Sequence, residues 1–263
     1  MDGASILARY DAEVRADPPA VAGVTRAWTD GVLRTTGAYN FITWWQFPSA
    51  AAAAIVAREA AFFRGLGGEV EWKVYSHDRP PGLETLLSEA GFIADEAETF
   101  LVFDLEESSL EADPPSGIDI RQVTDAAGLA DHVSAASSAF AEYWSRADIA
   151  ASLEDPALRL YVAYADGTPI GASRLEAQPG CAFAGLWGGG VAPAWRGRGV
   201  YRAMVAARAK LAARSGHRFL TVDARETSRP ILERLGFTPL GTIRGWILNK
   251  HHSGDGRQGR ETG

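Results

Sequence analysis

The chain has 263 residues, a formal net charge of −7, 46% apolar residues and 22% charged residues. This composition is that of a globular protein with one large or two small domains, and its acidic balance argues against a nucleic-acid partner. No apolar run approaches the roughly 18 residues of a membrane span, Met1–Tyr10 lacks a signal-peptide pattern, and the single Cys181 excludes an internal disulfide, so we expect a cytoplasmic protein.

The first half of the chain predicts alternating helices and strands. A helix over Ala50–Leu66 leads to a strand over Val70–Tyr75. A short helix in Leu86–Phe92 ends at a glycine, and Thr99–Leu105 is an extended apolar stretch. Residues 106–117 lack periodicity and are rich in turn formers, so we expect a linker between two domains there.

The second half predicts a longer series of elements. Strands follow from alternation or short apolar runs, and helices follow from apolar spacings of three and four residues. In chain order they are a strand over Ile118–Arg121, a helix over Ala126–Phe140, strands over Leu160–Ala165, Pro169–Leu175 and Phe183–Val191, a helix over Val200–Arg214, a strand over Phe219–Val222, a short helix in Ile231–Phe237 and a strand over Thr242–Leu248. The tail, residues 251–263, is polar and expected to be disordered.

The order helix–strand–helix–strand thus occurs in both halves. Leu86–Phe92 and Ile231–Phe237 are similar in sequence, and each predicts a short helix stopped by a glycine. An internal duplication is the simplest explanation. The alternative is that any two α/β units look alike at this level of detail.

The loop before the long helix of the second half carries the strongest functional signal. A helix beginning at Val200 leaves backbone N–H groups without partners and adds partial positive charge there. Gly197 and Gly199 let the chain turn tightly and let a phosphate approach the backbone, while Arg196 and Arg198 can add charged hydrogen bonds. The loop therefore predicts a pyrophosphate cradle, with a plain solvated connection as the alternative.

Two common phosphate-binding motifs do not account for this loop. A dinucleotide fingerprint needs a third glycine at the position of Arg202, and a P-loop needs a glycine–lysine pattern that is absent. Several predicted strands also precede the loop, which does not suit the start of a Rossmann fold.

The segment instead resembles the GCN5-related N-acetyltransferase (GNAT) family. Its members carry an R/Q-x-x-G-x-G/A loop at a strand–helix junction. Arg196 and Gly199 match this motif, whereas Tyr201 replaces a small residue. The Val-x-Pro at 191–193 and the Leu-Gly-Phe at 235–237 also fit the family.

The resemblance implies a mixed α/β fold with two GNAT-like domains in tandem. Residues 1–107 would be a degenerate domain without a cofactor loop, residues 118–250 the catalytic domain that binds acyl-CoA, and residues 251–263 the tail. The first half lacks the loop motif, so only the second half is expected to bind cofactor.

In such a fold two neighbouring parallel strands splay apart, and the pantetheine arm of the cofactor inserts between them. Phe183–Val191 and Phe219–Val222 would be those strands. The glycine run at 188–190 suits close backbone approach, with a bulge or bend as the alternative. The cofactor-binding residues that the resemblance implies are Gly189, Val191, Arg196, Gly197, Arg198, Gly199, Val200, Tyr201 and Ser228.

By resemblance the reaction is direct acyl transfer from acetyl-CoA to an amine, without a metal. It requires a base for the amine proton and an acid or dipole for the thiolate. Leu232 stands where many family members have a tyrosine acid, so Tyr201 becomes the candidate acid, or else a packed aromatic. Asp223 is the candidate base, or else a turn cap or an arginine partner. Glu176, Glu142 and a relayed water are weaker alternatives.

Ser228 begins the last short helix, where it would cap the helix, contact the cofactor or do both. The acceptor pocket is expected around Ala139–Arg146 and the first domain, with aromatics that are equally typical of a core: Tyr143, Trp144, Trp187 and Trp44-Trp45. His77, His132 and His217 are isolated in sequence, His251-His252 lies at the start of the tail, and no metal motif occurs.

The acceptor would be a small-molecule or peptide amine, and the acidic balance favours a cationic one. We expect a monomer or homodimer with no nucleic-acid or membrane partner. A non-catalytic acyl-CoA-binding or regulatory module is the main alternative, and an interaction scaffold is the second.

Overall fold

The computed structural model describes residues 1–18, 20, 21, 23–140, 155 and 157–249. The chain divides into two compact units, each made of two chain segments. The larger unit comprises Met1–Pro19 and Glu98–Gly241, and the smaller comprises Ala20–Ala97 and Thr242–Gly263. No helix in the described ranges is long and apolar enough to cross a bilayer.

The larger unit contains a mixed sheet of six strands, β6 to β11, with helices against it. In chain order its elements are α1 (Gly3–Tyr10), a π-helix (Asp11–Ala16), β6 (Glu98–Asp104), β7 (Ile118–Gln122), α4 (Ala126–Ala139), β8 (Leu158–Ala165), β9 (Thr168–Glu176), β10 (Phe183–Val191), a 3-10 turn (Pro193–Trp195), α5 (Val200–Arg214), β11 (Phe219–Ala224) and α6 (Arg229–Arg234). The strand order is β6-β11-β10-β9-β8-β7, and only the β10–β11 pair is parallel.

Helices α4 and α5 cover opposite faces of this sheet. Ala135 and Ala136 of α4 pack with Leu160 and Val162 of β8. The alternate β8 residues, Ala163 and Ala165, pack with Val200 and Met204 of α5. Successive side chains of a strand point to opposite faces, so β10 lies between the two helices.

The smaller unit contains five strands that share one sheet path and a sixth short strand. Its elements are β1 (Val24–Thr29), β2 (Val32–Gly37), β3 (Asn40–Trp45), a 3-10 turn (Ser49–Ala51), α2 (Ala52–Leu66), β4 (Val70–Tyr75), α3 (Leu83–Glu89), β5 (Ile93–Ala94) and the later part of β12 (Thr238–Leu248). The order is β1-β2-β3-β4-β12, and β5 also pairs with β12. Only the β3–β4 pair is parallel.

The predicted helices and strands are confirmed to within a few residues at their ends, and the repeated order helix–strand–helix–strand is present. The compact units, however, do not follow the expected linker. Strand β6, at the end of the first half, pairs with β11, and the end of β12 pairs with β4. The assignment of residues 1–107 and 118–250 as two domains therefore stays a proposal. In this proposal the two halves are duplicates whose last strands have been exchanged. The predicted tail at 251–263 lies outside the described residues.

Candidate functional site

Strands β10 and β11 separate part-way along their length. Their parallel ladder has three residue pairs and ends at Gly185 opposite Thr221. Beyond this point β10 continues to Val191 and β11 to Ala224 without further pairing between them. The two strands named in the sequence analysis are thus a parallel pair that opens into a cleft, which we call the splay.

A bulge interrupts β10 beside the splay. Trp187 pairs with Arg174 and Gly190 pairs with Ala172, so Gly188 and Gly189 together face the single residue Ser173 of β9. Such a bulge leaves backbone groups outside the ladder. The glycine run therefore forms the bulge that was its alternative interpretation. This bulge lies where the resemblance implies backbone contacts to a cofactor.

Gly189 of the bulge and the adjacent Gly190 are approached closely from opposite faces of the sheet. A Cβ at Gly189 would lie 3.1 Å from Cε2 of Tyr201 and 3.4 Å from Nη2 of Arg208, both from α5. A Cβ at Gly190 would lie 2.5 Å from Cζ of Phe140, at the end of α4. Larger residues would push these neighbours away.

The loop between β10 and α5 has the geometry expected of an anion cradle. Gly199 precedes the helix with φ of 86°, in the left-handed region that favours glycine. The first helical hydrogen bond runs from the Ala203 N–H to the Gly199 carbonyl at 3.1 Å. The N–H groups of Val200, Tyr201 and Arg202 therefore precede the helical ladder, and a glycine offers no side chain to cap them. Val200 itself is buried in the core.

The two arginines of the loop are engaged within the protein. Nε of Arg196 donates to the Val191 carbonyl at 2.9 Å, and Nη2 donates to the Ala139 carbonyl at 3.1 Å. Arg196 thus ties the loop to the end of α4. The guanidinium of Arg198 lies 4.8 Å from the ring centre of Trp195. Both arginines stay exposed, so their role as phosphate ligands remains a prediction.

Tyr201 lies inside the site and does not point outward. Its ring packs against Gly189, and the Ser228 side chain lies within hydrogen-bonding reach of its hydroxyl. Burial raises the pKa of the Tyr201 phenol, while Arg208 and Ser228 lower it in part. The phenol is therefore neutral at neutral pH, and it joins β10 to the start of α6.

Ser228 holds the position before α6 but makes no capping hydrogen bond with its side chain. Its hydroxyl instead donates to the Arg225 carbonyl at 3.2 Å. The expected capping bond is therefore wrong, because the serine backbone is already helical in conformation and directs the hydroxyl back into the preceding turn. The expected position of Ser228 beside the splay stays a prediction, and Tyr201 is the residue that connects the two.

Asp223 reaches the sheet face opposite to that of Tyr201. Leu220, Val222 and Ala224 of β11 pack with residues of α5, so the intervening side chains point to the α4 face. Asp223 is partly exposed, and its cross-strand neighbour is Phe100 of β6. The candidate acid and base thus approach the splay from opposite faces.

Arg208 is a feature of the site that the sequence did not single out. It is 1% exposed, and its guanidinium donates to three backbone carbonyls: from Nε to Met204 at 3.1 Å, and from Nη1 to Arg174 at 3.0 Å and Trp187 at 3.5 Å. Burial lowers the pKa of Arg208 to about 10. The position of Arg208 among the apolar residues of α5 was the sequence signal that could have indicated its burial.

The remaining candidates do not join this cluster. Glu176 forms an ion pair with Arg174 at 2.9 Å. Leu232 is fully buried, and Trp45 packs in the core of the smaller unit. Glu142, Tyr143, Trp144 and Arg146 lie outside the described residues, so the acceptor region is represented only by Ala139 and Phe140.

The histidines and the cysteine have ordinary environments. Nδ1 of His132 lies 3.2 Å from the Tyr161 carbonyl, and burial lowers the pKa of His132 to about 4. His217 contacts the carbonyls of Ala212 and Gln178. Burial raises the pKa of the Cys181 thiol. Within the described ranges, no group of three metal-binding side chains comes together.

Comparison with known proteins identifies the part of the chain that holds this site. Residues 129–237, which include the bulge, the loop and both splayed strands, match the model of the acetyltransferase (GNAT) family. By this match, residues 129–237 form a GNAT-family segment. No curated protein matches the sequence.

Solved GNAT structures share the fold of nearly the whole chain. A GCN5-related N-acetyltransferase from Kribbella flavida is 15% identical, with a TM-score of 0.70 and 95% of each chain covered. A tandem GNAT protein from the clavulanic acid biosynthesis pathway is 16% identical, with a TM-score of 0.63 and coverage of 94% of this chain and 93% of that one. One from Sphaerobacter thermophilus is 14% identical, with a TM-score of 0.63 and coverage of 94% and 91%. The fold is therefore the tandem GNAT arrangement, and the family indicates acyl transfer as the general chemistry.

Proposed function

We propose that this GNAT protein is an N-acyltransferase that moves the acyl group of acetyl-CoA, or of a related acyl-CoA, to an amine of a small molecule or peptide. The observation that carries the proposal is the junction of β10 and α5. There, the uncapped backbone N–H groups of the first helical turn, directly after Gly199, lie at the open end of the splay. A diphosphate on those groups would direct the pantetheine arm towards the Gly189 bulge.

In the proposed reaction the amine nitrogen attacks the thioester carbonyl. The new C–N bond forms, the C–S bond breaks, and the sulfur leaves with the bonding electrons. Backbone N–H groups at the bulge would polarise the carbonyl, and the neutral Tyr201 phenol would give its proton to the thiolate. Asp223, directly or through a water, would take the proton lost by the amine.

A non-catalytic acyl-CoA-binding protein is the second candidate, and Tyr201 favours it. The family motif has a small residue here, whereas the Tyr201 ring lies against Gly189 and reaches Ser228. The ring must therefore turn aside before a pantetheine arm can lie across this part of the splay. A protein that bound the cofactor through its nucleotide and diphosphate, without the thioester in the splay, could keep the ring in place.

Two measurements on the full chain separate these candidates. Calorimetry with CoA and acetyl-CoA tests the cradle, and we expect saturable binding. Thiol release from acetyl-CoA with a panel of primary amines, including cationic ones, tests turnover. Binding with amine-dependent thiol release supports the transferase, whereas binding without release with any amine supports the second candidate. If CoA does not bind, both are wrong.

A further inference from the structure

The buried guanidinium of Arg208 is placed at the base of the bulge. Trp187 and Arg174 form the last ladder pair before the register shifts, and Nη1 of Arg208 donates to the carbonyls of both residues. Nε donates to Met204 in the same helix. One side chain thus links α5 to both strands at the point where the bulge begins.

This arrangement encloses a positive charge without a negative partner. No carboxylate of a described residue contacts Arg208, and all its bonded acceptors are neutral carbonyls. Burying a charge costs free energy that an apolar side chain of similar volume would not cost. Packing alone therefore does not explain an arginine here.

The guanidinium of Arg208 also restricts the direction in which the backbone groups of the bulge can point. With Nη2 of Arg208 and the ring of Tyr201 both on the α5 side of Gly189, that side is filled. Phe140 fills the α4 side at Gly190. The backbone edge of the bulge that does not pair with β9 therefore faces the splay.

We propose that Arg208 is a positioning residue for acyl transfer, which holds the bulge of β10 so that the Gly189 backbone is presented to the thioester. The proposal rests on the proposed function. Because its charge is uncompensated and lies beside the bulge, Arg208 also favours negative charge at the thioester carbonyl as the amine adds. Arg208 acts through the bulge, and its loss is expected to affect turnover more than cofactor binding.

The test compares four variants of the full chain. Arg208→Met keeps the length and loses the donors and the charge, and Arg208→Lys keeps the charge with fewer donors. Val205→Ala removes buried volume from the same helix, and Lys210→Met removes an exposed charge from its later turns. For each we would measure the melting temperature, the Kd of CoA by calorimetry, and kcat and KM for acetyl-CoA with an amine that the wild type uses.

We expect Arg208→Met to lower kcat about 30-fold or more while the Kd of CoA changes less than about threefold, because aligned donors at the reacting carbonyl act mainly in the transition state. Arg208→Lys should recover part of the rate. Val205→Ala should lower kcat less than threefold at a comparable loss of melting temperature, and Lys210→Met should match the wild type.

The proposal is overturned if Arg208→Met loses no more activity than Val205→Ala, or if kcat and CoA affinity fall in parallel. It is also overturned if neither Arg208 variant folds, because the role is then structural. A wild-type protein that fails to bind CoA, or that binds it without turnover, would instead contradict the proposed transferase itself. A turnover-competent wild type with an active Arg208→Met variant contradicts only the role of Arg208.

Discussion

Tyr201 is the residue on which the choice between catalysis and simple binding depends most. It replaces a small residue of the GNAT motif, yet it lies inside the site, with Gly189 beneath its ring and Ser228 beside its hydroxyl. Burial raises the pKa of the phenol, so it holds its proton through the neutral range. Such a group can donate a proton to a leaving thiolate.

Replacing Tyr201 with phenylalanine removes only the hydroxyl. If the phenol is the acid, kcat should fall about tenfold or more, as general-acid groups contribute, while the Kd of CoA stays within about twofold. The wild-type rate should fall at high pH only above the ordinary pKa of a phenol, because burial raises the pKa of Tyr201 and the protonated form is the active one. An unchanged kcat in Tyr201→Phe would assign the ring a packing role.

His132 provides a test of stability against pH. Its native pKa of about 4 lies below the ordinary 6.5 because of burial, opposed by the Tyr161 carbonyl. The unfolded chain therefore binds a proton that the native state does not, and stability falls as pH decreases from 6.5 towards 4. The loss is on the order of 3 kcal/mol at most.

In His132→Asn this contribution to the pH dependence should disappear, since asparagine keeps a donor for the Tyr161 carbonyl and does not titrate. Urea unfolding of both proteins at pH 4.5 and 7 measures the difference. Parallel losses in wild type and variant would show that the imidazole is not buried as described.

At the scale of elements, the bulge of β10 depends on the absence of side chains at its glycines. Gly190→Ala would bring a Cβ to 2.5 Å from Phe140 and 2.8 Å from the Cβ of Ala139. Overpacking of this kind costs about 1–3 kcal/mol. We expect that loss in urea unfolding, and a partial recovery in Gly190→Ala combined with Phe140→Ala. A fully stable single variant would mean that α4 does not press on the strand.

The elements after residue 50 were largely predictable because each depends on local sequence, whereas α1 and β1 to β3 were not among the predictions. The apolar spacing from Val200 indicates α5, and two short runs joined by the Asp166-Gly167 turn indicate β8 and β9. The turn at Gly197 and Gly199 was also predictable, since glycines with φ above zero have few substitutes. The burial of Arg208 was not predicted, because a charged residue on a helix is usually solvent-facing, although its place among the apolar residues of α5 was a signal for it.

At the scale of the whole molecule, strand partners were beyond what the sequence indicates. Nothing in the apolar run of Glu98–Asp104 indicates that this strand pairs with β11, because the partner is chosen by tertiary packing. The linker at 106–117 was predicted from composition, and composition does not report which strands cross a boundary. The pairing of β6 with β11 and of β12 with β4 therefore emerges only from the structure.

Each half has a short pair of parallel strands, but the space beyond the last paired residues differs between the two halves. The β3–β4 ladder also has three residue pairs, ending at Ile42 opposite Trp72. Beyond it, Trp45 and Trp72 pack with ring centres 5.5 Å apart, and both are buried. The connection from β3 to α2 contains no glycine. This pair is filled by core side chains, so the smaller unit offers no matching cradle.

One CoA molecule per chain is therefore the expected stoichiometry. Titration calorimetry with a protein of known active concentration measures it directly. A fitted value near two would contradict the degenerate nature of the first half, and would direct attention to the β3–β4 pair.

The central claim is that the N–H groups behind Gly199 bind the diphosphate of CoA. Gly199→Asp and Gly199→Asn place side chains of the same shape at the same positive φ, and both residues tolerate it better than most. Because both residues tolerate this backbone conformation, neither is expected to unfold α5. They differ in one negative charge at the cradle.

The decisive measurement is the Kd of CoA for these two variants by calorimetry at low ionic strength. We expect Gly199→Asp to bind at least about tenfold more weakly than Gly199→Asn, because its carboxylate repels the phosphates at short range. Equal affinities in the two variants, with wild-type binding intact, would show that the diphosphate lies elsewhere and that the cradle is wrongly assigned.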